Sequence, residues 1–75
     1  MFKSIKTAAD IAAEDFAQLA AGVRAERDAL LVASDWTQVA DAPVDQAAWA
    51  MYRQSLRDIT TQVGFPSAVI WPDKP

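Results

Sequence analysis

An all-α fold is predicted here, an antiparallel helical hairpin whose second arm is followed by an extended Pro/aromatic C-terminal segment. Three observations predict it. No proline interrupts residues 8–33, where Phe16, Leu19, Val23 and Leu30 share one stripe at spacings of three, four and seven. Trp49, Tyr52, Leu56 and Ile59 then recur at i, i+3, i+7 and i+10, which is one face of a second helix. Between them lies a polar corner with turn chemistry at Asp41-Ala42-Pro43.

Along the chain, residues 1–7 are a lead-in that ends on Thr7, a plausible N-cap. Asp10 follows three residues later, in the spacing of a capping box with the shorter acid. Asp10, Glu14 and Asp15 precede Arg24 and Arg27, the order that the helix dipole favours. Gly22 weakens the helix by about 1 kcal/mol relative to alanine. It marks either a bend or a place where a neighbour packs closely, and it separates an Ala-rich half at 8–22 from a charged half. Ser34-Asp35 end the first helix, with Trp36 folding back as a lid whose N–H seeks an acceptor. Asp45 caps the second helix, which runs from about Gln46 to Thr61 until Gly64 and Pro66 stop it.

From Phe65 to Pro72 two prolines predict extended backbone. Phe65, Val69, Ile70 and Trp71 are too apolar for a solvated tail, so they either cross the hairpin as core or dock on a partner. Residues 23–72 thus form the hairpin with its extended segment, and 73–75 a tail. A first helix of about 26 residues is roughly 39 Å long, against roughly 24 Å for a second of about 16. The N-terminal half of the first helix therefore projects, and Phe16, Leu19 and Val23 on it join Phe65, Ile70 and Trp71 as candidate partner contacts. Leu30, Leu31, Trp36, Trp49, Tyr52, Arg53, Leu56 and Ile59 are the candidate core, with Arg53 the best placed for a buried, fully used guanidinium.

Composition narrows the chemistry. A chain of 75 residues holds one small domain, with a core worth only about 3–5 kcal/mol. It contains no Cys and no His, so disulfides and imidazole sites are excluded. The net charge of −3 is spread along the chain, unlike the clustered basic face of a nucleic-acid protein. No run of 18 apolar residues occurs, so no membrane span is expected. Acids interrupt what would be the apolar part of a signal peptide, and retention in the cytosol is the expectation.

Asp35, Asp41 and Asp45 lack the glycine and the terminal glutamate of a calcium loop, since Gln46 stands where the glutamate would be. Ser34 beside Asp35 has no base to activate it. No catalytic residue, cofactor or metal is expected.

The ordered string Arg24…Arg27-Asp28…Leu30-Leu31…Ser34-Asp35-Trp36-Thr37-Gln38…Asp41-Ala42-Pro43, then Trp49…Tyr52-Arg53…Leu56-Arg57-Asp58, then Gly64-Phe65-Pro66…Trp71-Pro72, resembles the phage tail assembly chaperone family. The same module resembles the C-terminal part of tail-fibre assembly proteins. The resemblance spans about residues 23–72 and departs at Val39-Ala40, where such sequences often carry Leu-Pro. It implies a small non-enzymatic factor of the infected bacterial cytoplasm, without cofactor. Its partner would be another phage tail protein (tape measure, tail tube or tail fibre) that it escorts until assembly. The Ala-rich first helix, suited to close packing in a homo-oligomeric ring or bundle, also admits a structural protein retained in the virion tail, at its tip or fibre attachment.

Overall fold

Thr7 opens the first helix through a reciprocal capping box. Its hydroxyl accepts from the Asp10 amide at 3.1 Å, and the Asp10 carboxylate accepts from the Thr7 amide at 3.1 Å. The computed structural model describes residues 7–75; the rest of the lead-in, residues 1–6, lies outside them. Helix α1 runs over Ala8–Ser34, and a 3-10 turn follows at Asp35–Gln38. Helix α2 covers Gln46–Arg57 and tightens into a second 3-10 turn at Asp58–Thr61. Asp45 caps α2, its carboxylate accepting from the Ala48 amide at 3.1 Å. The two arms pack against each other as the predicted hairpin, with no strand among the described residues.

At 27 residues α1 is about 40 Å long. It passes Gly22 without a break, and a Cβ there would meet nothing within 4 Å. Among the described residues, then, no close neighbour requires the glycine.

The core is small. Tyr52 and Leu56 on the inner face of α2 and Ile59 in the 3-10 turn after it are buried, and Leu56 and Ile59 have no exposed surface. Val23, Leu30 and Leu31 of α1, Trp49 of α2, and Phe65, Val69 and Trp71 of the C-terminal segment pack against them. Trp49 and Tyr52 meet edge to face, with ring centroids 5.5 Å apart. The Arg24 guanidinium lies 5.4 Å from the centre of the Phe65 ring, a cation–π contact between α1 and the C-terminal segment.

Trp36 departs from the expected core, with about half its surface (51%) exposed. The cause is the 3-10 turn, which points Thr37 inward instead. Thr37 is fully buried, and its hydroxyl donates to the Ser34 carbonyl at 2.6 Å. Trp36 keeps a tilted contact with Trp49, centroids 6.3 Å apart.

The C-terminal segment also differs from the continuous extended run expected from Phe65. The Phe65 amide donates to the Gln62 carbonyl at 3.1 Å and the Ala68 amide to the Gly64 carbonyl at 2.7 Å, so residues 62–68 close into turns around a buried Pro66. A Cβ on Gly64 would collide with the Ala68 carbonyl oxygen, which is why a glycine stands there. Beyond the turns, Gln62 holds the chain at two points. Its amide nitrogen donates to the Ile70 carbonyl at 2.7 Å, and its amide oxygen accepts from the Ile70 N–H at 2.8 Å. This clamp seats Val69 and Trp71 on the core. Replacing Gln62 by alanine is expected to cost about 1–2 kcal/mol, at the usual net value of a hydrogen bond. It should also abolish hydrogen-exchange protection of the Ile70 amide; unchanged protection at Ile70 would show that the clamp does not hold the segment.

Candidate functional site

The two halves of α1 differ in what covers them. Every residue from Ala8 to Leu19 is exposed, Ala20 is buried, and Val23 is half-buried against the core. Phe16 lies one heptad before Val23 and two before Leu30, so the stripe that packs onto the core continues past it onto open surface. Phe16 is 55% exposed, and Leu19 and Ile11 are exposed to about the same degree. An open depression between Asp15, Gln18, Leu19 and Gly22 lies on the same stretch.

The six candidate partner contacts separate accordingly. Phe16 and Leu19 stand on the projecting part of α1. Ile70 is 79% exposed on the C-terminal segment, although Gln62 holds its backbone. Val23, Phe65 and Trp71 are half-buried and pack against the cluster of Tyr52, Leu56 and Ile59. Ile11 was missed, although its spacing of eight from Leu19 puts it near the same face. Val32 near the end of α1 and Trp36 and Val39 at the corner are also exposed.

At the other end of α1, the polar groups serve the fold. α1 has no basic residue in its last turn, where helix carbonyls lack intrahelical partners. Arg53 reaches across from α2 to supply the donor. One guanidinium nitrogen donates to the Leu31 carbonyl at 2.6 Å and the Ser34 hydroxyl at 2.8 Å, and another to the Asp35 carboxylate at 2.7 Å. The Ser34 hydroxyl in turn donates to the Leu30 carbonyl at 2.8 Å. Gln46 donates its amide to the carbonyls of Thr37 and Val39, and Gln38 returns a bond to the Gln46 carbonyl at 3.3 Å. The corner is thereby tied to the start of α2. Ser34 and Asp35 are both engaged in holding the helix end.

Among the described residues, no group of three or more His, Cys, Asp or Glu is placed to hold a metal ion. No helix among them is long and apolar enough to cross a membrane. The arrangement offers a hairpin with a surplus of helix, and the surface chemistry of that surplus is apolar and acidic.

No curated protein and no solved structure matches the chain. The family model described as phage tail assembly chaperone protein matches residues 20–75, well over half of the chain, beginning where α1 enters the packed hairpin. This chain is therefore a member of the phage tail assembly chaperone family.

Proposed function

We propose that the chain is a non-enzymatic assembly factor that binds another tail component during tail morphogenesis in the host bacterial cytoplasm and leaves before the particle is complete. The tape measure, the tail tube and the tail fibre are the candidate components. Family membership supports a role in tail assembly. The observation that carries the binding mode is the projecting half of α1, where Ile11, Phe16 and Leu19 hold about half their surface open to solvent. An aromatic side chain presented this way buries a large area when a partner covers it, and interface energy concentrates in such anchors.

Co-expression with each tail component in turn, followed by affinity capture of this chain, tests the proposal. The expected result is capture of one component by the wild-type chain. Phe16→Ala is expected to weaken that capture at least tenfold, equivalent to about 1.4 kcal/mol, while moving the thermal midpoint by no more than about 2 °C. The midpoint holds because Phe16 packs on nothing in the buried cluster. Mass spectrometry of washed virions completes the test. Stoichiometric amounts of the chain in finished particles would replace the chaperone reading with that of a structural tail protein.

A further inference from the structure

Gly22 is the residue least suited to its position. It lies in the interior of a 27-residue helix, where glycine ranks below every residue except proline. Among the described residues nothing in the fold requires it, since α1 runs through unbroken and a Cβ would meet no atom within 4 Å beyond its chain neighbours and the helix's own backbone. The missing side chain does shape the surface, because Gly22 borders the depression formed with Asp15, Gln18 and Leu19. At the 3.6 residues per turn of a helix, Ile11, Gly22, Asp15, Leu19, Ala12 and Phe16 follow one another around roughly 140° of α1. Ile11, Leu19 and Phe16 are the large apolar side chains of that arc, each about half exposed. Asp15 is the one charged residue of these six and lies between Gly22 and Leu19, with Glu26 one turn beyond Gly22 on the same side. The residues one turn away from Asp15 are Ile11, Ala12, Gln18 and Leu19, and no Lys or Arg occurs anywhere from Thr7 to Val23.

We propose that Gly22 is a notch that admits a helix of the bound tail component, and that this helix carries a Lys or Arg within its apolar stripe. Its stripe covers Ile11, Leu19 and Phe16. Its basic side chain lays the aliphatic stem over Gly22 and ends on the Asp15 carboxylate. Glycine allows the close backbone approach, and long basic side chains bury their stems on apolar surface while the charged head finds a polar partner. An acid within a largely apolar arc penalises a purely apolar occupant and selects a cationic one. The inference rests on the chaperone reading and adds the chemistry of the partner segment.

The test uses the full chain and fluorescently labelled helical peptides tiled across the tape measure, tail tube and tail fibre of the same phage, with Kd read by anisotropy. The tightest peptides are expected to hold a Lys or Arg inside an apolar stripe. Gly22→Ala should raise the thermal midpoint by about 4–8 °C yet weaken those peptides at least tenfold. Asp15→Asn should weaken them about fivefold at low salt and less at high salt, with no effect on a peptide whose basic residue is changed to Met. Equal binding by Gly22→Ala, or tight peptides without a basic residue, would overturn the notch and leave the chaperone reading standing. Binding of no peptide at all, together with no captured component in the co-expression experiment, would overturn both.

Discussion

Arg53→Ala will destabilise the chain by about 2–4 kcal/mol, the range expected for losing several hydrogen bonds to a charged, buried donor. Asp35→Asn will cost less than about 1 kcal/mol. The asymmetry follows from where the two partners sit. The Arg53 side chain is 10% exposed, whereas that of Asp35 is 62% exposed, so water competes for the carboxylate and little of the ion pair survives as net stability. The larger share lies in the other nitrogen, which satisfies the Leu31 carbonyl and the Ser34 hydroxyl at the end of α1. Removing it leaves the Leu31 carbonyl with the longer 3.2 Å bond from the Ser34 hydroxyl, at a helix terminus that has no cation of its own. Arg53→Lys should recover only part of the loss, since a single ammonium cannot fork between the helix end and Asp35. Urea melts of the three variants at low and high salt check this. A cost for Asp35→Asn equal to that for Arg53→Ala, or a wild-type advantage erased by salt, would mean that the ion pair and not the cap holds the arms together.

How far this structure was legible in the sequence depends on the range of the interaction concerned. Thr7 with Asp10, and Asp45 before Ala48, are local, because a cap and its amide lie within one turn. The face Trp49, Tyr52, Leu56 and Ile59 is also local, being written in the period of the helix. The Gln62 clamp on Ile70 leaves no such trace. A glutamine eight residues from the backbone that it holds looks like any solvated polar residue until the intervening turns are known. Without that clamp, the C-terminal aromatics could be read as core or as partner contacts with equal reason. Trp36 was misplaced for a related cause. Bulk and hydrophobicity favour burying the indole, but the 3-10 turn gives the inward direction to Thr37, whose hydroxyl bonds the helix end. On the projecting half of α1, Phe16 and Leu19 were visible from helix lengths alone. The role of Gly22 was not, since its meaning depends on finding no atom beside it.

Leu56→Ala will leave most molecules without a packed hairpin near body temperature. Truncating a fully buried leucine costs about 2–5 kcal/mol, and a chain of this size is stabilised by only about 3–5 kcal/mol in total. Leu56 has no exposed surface and stands between Tyr52 and Ile59 in the buried cluster, so the vacated volume faces residues from α1, α2 and the C-terminal segment together. The loss will not be uniform along the chain. α2 has 12 residues, below the length at which an isolated helix persists in water, and it depends on the packing that Leu56 anchors. α1 has 27 residues, rich in alanine and closed by its own capping box, and it should keep part of its helicity when the hairpin opens. Circular dichroism at 222 nm should therefore fall only in part, while the near-ultraviolet signal of the tryptophans collapses and the urea transition broadens. Met51→Ala, on the outer face of the same helix with 74% of its surface exposed, should stay within about 0.5 kcal/mol of wild type. If Leu56→Ala and Met51→Ala melt alike, the hairpin is not held by this cluster. If instead the two spectral signals are lost together and completely, α1 has no helicity independent of the hairpin, and its projecting half would be ordered only through the folded arms.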